Sequence, residues 1–150
     1  MALQTILEAI QEANNEADIP TLAFANIREF NSFIDSFNYS DYPVNIVVPF
    51  ETTGTHTSGR RKSIVRLQGW VLRRIPEEPL DVRSVRAEEE YIAPMRAKAV
   101  KFIGKLLQTD IIDPEVENVT DSIRSEYAFL AMHLFGVGYT VNIPVVENVC

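Results

Sequence analysis

The stretch nearest to a chemical motif is Gly54-Thr-His-Thr-Ser-Gly59, whose glycines stand at the spacing of a phosphate-binding loop. The next residues disagree with that reading. Such a loop needs Lys and then Ser or Thr, and it must run from a strand into a helix so that helical N–H groups meet the phosphates. Here Arg60 and Arg61 come next and the pattern returns to a strand, which argues against nucleotide binding. His56 and His133 are the only histidines, and neither has a second ligand at a spacing typical of zinc. His56, in a polar stretch, reads as a hydrogen-bonding group at an interface, and His133 as a group at the edge of the core. No Gly-x-Ser-x-Gly elbow offers a nucleophile. The run Glu88-Glu89-Glu90 suggests an acid–base or cation site, but neighbouring helical residues point in different directions. Carboxylates in a first helical turn are also what the helix dipole favours. The single cysteine, Cys150, has no intramolecular partner for a disulfide or a thiolate cluster. The expectation is therefore no catalytic set, no metal and no cofactor.

Charge is the more informative signal. The chain carries 21 acidic and 14 basic residues, a net charge of −7, which disfavours non-specific nucleic-acid binding by the whole surface. Against that background Arg60, Arg61, Lys62, Arg66, Arg73 and Arg74 form a concentrated positive segment. Two readings of it stay open. The charges guard strand edges against unwanted pairing, or they meet an acidic partner surface or DNA passing nearby. Trp70 shares a strand face with Arg66 and Arg74. It is either an interface anchor, since tryptophan and arginine dominate binding hot spots, or a core residue beneath the main helix.

The elements that must position these residues are set by periodicity. Leu3, Ile6, Leu7 and Ile10 recur at helical spacing, predicting an N-terminal amphipathic helix from residue 2 to about 14, ended by Asn14-Asn15. Thr21 to Ala25 reads as extended, and 26–37 as helix or irregular, with Phe24, Phe30, Phe33 and Phe37 as core aromatics or an intersubunit surface. From Tyr42 the period becomes two, with Val44, Ile46, Val48 and Phe50 on one face and Asn45 and Val47 on the other. Pro43 and Pro49 mark strand ends or an edge. Residues 51–62 read as a protruding polar arm, far longer than the loop of about two to five residues that joins most hairpin strands. Ser63 to Ile75 alternates again and pairs antiparallel with the first strand.

Pro76 to Pro79 stops that strand. Val85 to Leu107 then has helical spacing, with Pro94 as a kink or the effective start. Ile123 to Leu134 alternates, Gly136 and Gly138 make a turn, and Tyr139 to Val145 is the last strand. Residues 145–150 are left as an apolar tail, with Val149 and Cys150 at its end. The expected fold is one α+β domain over 1–150, an antiparallel sheet of about four main strands with a long hairpin arm, packed against one main helix and an N-terminal helix. No stretch reaches the about 18 apolar residues that span a bilayer, and no secretory leader pattern opens the sequence.

Three stretches carry a family resemblance. They are Tyr42-Pro-Val-Asn-Ile-Val-Val-Pro-Phe50 with its return through Arg61-Lys-Ser-Ile-Val-Arg-Leu-Gln-Gly-Trp70, the helix Tyr91-Ile-Ala-Pro-Met-Arg-Ala-Lys-Ala-Val-Lys-Phe102, and the closing Leu134-Phe-Gly-Val-Gly-Tyr-Thr-Val-Asn-Ile-Pro144. In this order they resemble small tail-completion, tail-terminator and neck ring proteins of tailed bacteriophages, including the crAss-like phages and others that infect Bacteroidetes. The resemblance implies a tail-terminator-like fold and a non-enzymatic structural protein of the virion tail or neck, assembled in the host cytoplasm. It further implies a cyclic homo-oligomer, hexamer or dodecamer, around the DNA channel. Portal, connector or tail proteins would be its neighbours, with DNA in the lumen bound without sequence specificity and no membrane contact. Thr55, His56, Arg60, Arg61, Lys62, Arg66, Trp70 and Val149 are the residues expected to meet a neighbouring subunit or ring. The competing expectations are an adaptor that binds one protein without forming a ring, and a small nucleotide-binding or hydrolytic enzyme.

Overall fold

Alternating β-branched residues on three segments build the centre of the molecule. In the computed structural model, which describes residues 2–17, 19–23, 28–30 and 43–148, β2 (Val44–Thr57) turns directly into β3 (Arg60–Arg74). The long β5 (Leu134–Asn148) lies antiparallel to β3 over its whole length, from Arg60 opposite Asn148 to Arg74 opposite Leu134. Two short strands flank these: β1 (Thr21–Ala23), parallel to β2 at Asn45–Val47, and β4 (Asp121–Glu126), antiparallel to β5. The order is β1-β2-β3-β5-β4 in one 5-stranded sheet. It is the α+β antiparallel architecture that the periodicities predict, with one short parallel strand at an edge.

Helix α1 (Ala2–Ala17) and helix α2 (85–106) lie side by side on one face, the helix face, joined at their ends by Lys105 and Glu16, 3.7 Å apart. Helix α2 starts at Val85–Ala87, where the Ser84 hydroxyl accepts the Ala87 N–H, widens to a π-turn over Glu88–Ile92, and continues as Ala93–Leu106. The wide turn stands immediately before Pro94, which has no N–H for the ladder and whose ring would crowd the preceding turn of a regular helix. Ala99, Phe102, Ile103 and Leu106 point from α2 onto Val65, Leu67, Val71, Phe135, Val137, Tyr139 and Val141 of the sheet. Helix α1 runs through Asn14-Asn15, expected to end it, and buries Ala13 and Ala17 in its last turn.

Five further expectations are corrected. The sheet is buried on both faces, because Val44, Ile46, Val48, Trp70, Leu72 and Leu134 form a second core with Phe30 on the far face, so a sheet packed only against the main and N-terminal helices is an incomplete description. Residues 51–57 are strand rather than arm loop, and the hairpin closes in a two-residue turn, Ser58-Gly59. Both turn residues have positive φ, 48° and 78°, the geometry that suits the right-handed twist of the strands. Residues 145–148 are not a tail but the end of β5, with Val146 opposite Lys62 and Asn148 opposite Arg60. The alternation expected from Ile123 to Leu134 ends at Glu126, succeeded by a 3-10 turn at Leu130–Met132 and by His133 in the left-handed conformation at φ 59°. Gly136 and Gly138 lie within β5 rather than in a turn. Of the aromatic-rich stretch only 28–30 is described; Phe24, Phe33 and Phe37 lie outside the described residues, as do Val149 and Cys150.

Candidate interaction surface

Beyond Pro49, Leu67 and Val141, which lie side by side across the sheet with Asp121, neither β1 nor β4 accompanies the central strands. Among the described residues the sheet continues as β2, β3 and β5. The segment after α2 closes β5 in this half: Val146 N–H donates to the Ile111 carbonyl and Asp113 N–H to the Pro144 carbonyl, each at 2.9 Å. A bulge sets two residues of β2, Thr52 and Thr53, against Ile64 between the Glu51–Val65 and Gly54–Ser63 pairs. A bulge of this kind bends its strand and reverses which residues face which side. Beyond it Thr55 and Thr57 stand on the far face, Gly54 and His56 on the helix face.

The expected interaction residues divide by what they touch. Thr55, His56 and Arg60 are exposed at the hairpin tip, and Arg66 is exposed on the far face beside the half-exposed Ile64. Arg60 lines an open cleft of about 430 Å³ with Thr109, Asp110, Ile112, Pro114 and Val146. Arg61 and Lys62 are held within the subunit. The Arg61 guanidinium lies over Gly54 and donates to Glu147 at 3.3 Å. Lys62 donates to Glu115 at 2.6 Å and lies 3.5 Å from the buried Asp113. The Glu115 hydrogen bond holds the Lys62 ammonium above its ordinary pKa, despite opposing desolvation. Trp70 is a correction: only 4% exposed, it stacks on Phe30 at 4.4 Å and meets Phe129 edge-on. It lies on the face opposite the main helix, so it is neither a surface anchor nor beneath that helix. Val149 lies outside the described residues.

Lys62 thus ties the hairpin to the 107–120 connection, and its loss should show locally. Lys62→Met is expected to speed amide exchange at Asp113 and Val146, whose N–H groups hold that connection to β5, while leaving exchange in α2 unchanged. Equal acceleration in both regions would assign Lys62 a global role instead.

The remaining chemical candidates do not converge. His56 sits at the tip and His133 beside Leu134, at the opposite end of β5 from the tip. Glu88 pairs with Arg96 and Glu90 with Arg86, so the acidic run is drawn to different partners. Among the described residues no group of three His, Cys, Asp or Glu is placed to hold a metal ion, and no helix is long and apolar enough to cross a membrane. The sequence did not lead to Asp113, Glu115 and Glu147 as the partners of the basic segment, because all three are remote from it along the chain. A signal for the tip was present: Ser58-Gly59 is a turn dipeptide flanked by alternating threonines. No family model matches this sequence, and no curated protein is similar to it.

Proposed function

We propose that this chain is a structural subunit of a tailed-phage neck or tail. Copies assemble into a closed ring that joins portal or connector to tail and surrounds the DNA channel. The observation that carries the reading is the hairpin end of the three-stranded extension, where described side chains from Thr53 to Arg60 are exposed except the half-buried Gly54. A strand-paired hairpin end of this kind presents polar and basic side chains to a neighbour without drawing on either core. Function then rests on geometric fit and not on catalysis. Cyclic assembly requires heterologous contacts, one patch of each subunit meeting a different patch of the next.

Arg60 and Arg66 make no ion pair among the described residues, and they carry the electrostatic part of the fit. Replacing both with glutamate is expected to weaken self-association at low salt, with the difference from the parent protein shrinking as ionic strength rises. Sedimentation analysis at several salt concentrations measures this, and association unaffected by the double change would remove the arginines from the interface. Electron microscopy of the purified protein tests the reading itself. Rings of constant copy number are expected, and a monomer at every accessible concentration would reject it.

A further inference from the structure

Among the described residues the sheet has two open edges at diagonally opposite corners, and their backbone polarity can be derived residue by residue. A two-residue turn makes Thr57 and Arg60 a hydrogen-bonded pair, so Thr55 and Thr57 direct their N–H and C=O groups at β3 while Gly54 and His56 direct theirs outward. At the other end of β2 the Asn45 N–H donates to the Pro20 carbonyl, which turns the odd-numbered residues before the bulge outward as well. Pro49 is one of these, at a position where its missing N–H costs the β2–β3 ladder nothing. Across the sheet, even-numbered residues of β5 face β4, so the amides of Asp121, Ile123 and Ser125 point away from the sheet.

Among the described residues no strand pairs with β2 beyond the β1 segment, or with the outer side of β4. The β2 stretch Glu51–Thr57 contains no lysine and no proline, two of the usual defences of an exposed edge, and its bulge at Thr52-Thr53 leaves Gly54–Thr57 as the regular part of that edge. We infer that the outer edge of β2 around Gly54 and His56 receives β4 of a second copy of this chain, extending one sheet from subunit to subunit. This deepens the ring reading above and rests on it for closure.

Three observations select β4 of a copy as the occupant. Continuing the sheet without reversing its strands places β4 antiparallel to β2, with Asp121 toward the hairpin tip. Matching the outward amides permits registers that differ by two residues, and we assign the one that sets Asp121 opposite His56 and Ile123 opposite Gly54, on the same face. The side chains agree: Asp121 is exposed and makes no ion pair among the described residues, and it arrives opposite the exposed His56, a hydrogen-bonding partner for its carboxylate. The offset agrees too. Asp121 is level with Leu67 in its own sheet and would move to the level of Arg61 in the next, about 20 Å at ordinary strand rise. Strands in such an assembly run inclined to its axis, as they do when any sheet closes on itself.

Cross-linking tests the register. In a Cys150→Ser background, Thr55→Cys and Ser122→Cys would form a non-hydrogen-bonded pair of the new ladder, with Cα atoms about 4.5 Å apart and suited to a disulfide. Mild oxidation of the double variant is expected to give a ladder of covalent multimers on a non-reducing gel, while each single variant gives none. Dimers from Thr55→Cys alone would overturn the inference in favour of two β2 edges paired about a dyad. Rings without cross-links would overturn it while keeping the ring. Cross-linked open filaments would keep the strand pairing and reject the ring.

A second pair of variants separates backbone from side chain. His56→Pro removes an outward N–H and is expected to weaken association about tenfold, the equivalent of one to two hydrogen bonds. His56→Ala keeps that N–H and should associate nearly as the parent does. Equal loss in both, with circular dichroism unchanged, would overturn pairing through the backbone.

Discussion

Gly69→Ala is expected to destabilise the fold by about 2–5 kcal/mol, combining the usual cost of overpacking with that of a stranded buried polar group. Gly69 stands between Val47 and Tyr139 in the sheet, and a Cβ there would lie 2.1 Å from Cζ of the Tyr139 ring. That ring crosses the glycine so that its hydroxyl donates to Asn45 Oδ1 at 2.6 Å, with both residues fully buried. Burial also pushes the phenol pKa up, so the hydroxyl stays a donor. An added methyl must displace the ring, the bond, or both. Chemical denaturation of Gly69→Ala, Tyr139→Leu and the double variant resolves the cause. If the clash dominates, the double variant will be more stable than the sum of the single losses predicts. Strict additivity would show that Gly69 is required for some other reason.

The same residues explain what the sequence could and could not reveal. Period-two alternation placed Val65, Leu67 and Val71 on one side of β3 and Trp70 and Leu72 on the other, because the pleat fixes that relation locally. It did not say that both sides are covered, since burial of the Trp70 side depends on Phe30 and Phe129, distant along the chain. Gly69 was legible only as a position on the same strand face as Val65, Leu67 and Val71; its purpose lies on β5 and β2. The 51–62 segment misled because threonine and glycine suit loops as well as an exposed edge strand. Ser58-Gly59 alone marks where the chain reverses. Lys62 and Arg61 looked available to a partner because their acidic neighbours arrive from the 107–120 connection and the end of β5. For the edge, alternation identifies strands but not their order, and only the order exposes β2 and β4.

Trp70→Ala should cost about 3–5 kcal/mol, the range of a truncated buried aromatic. The indole lies nearly parallel to Phe30, at an interplanar angle of 5°, and Phe129 meets both rings edge-on. Trp70 therefore joins two chain connections to the centre of β3, and its truncation opens a cavity in the far-face core that it shares with Val48 and Leu72. Phe30→Ala should lose much of the same energy, so the double variant will fall short of the summed losses. As the only tryptophan, Trp70 also reports on itself. Its emission should be that of a shielded indole in the dissociated protein as well as the assembled one, with little quenching by iodide until unfolding. Strong quenching of the monomer that disappears on assembly would instead return Trp70 to the subunit interface.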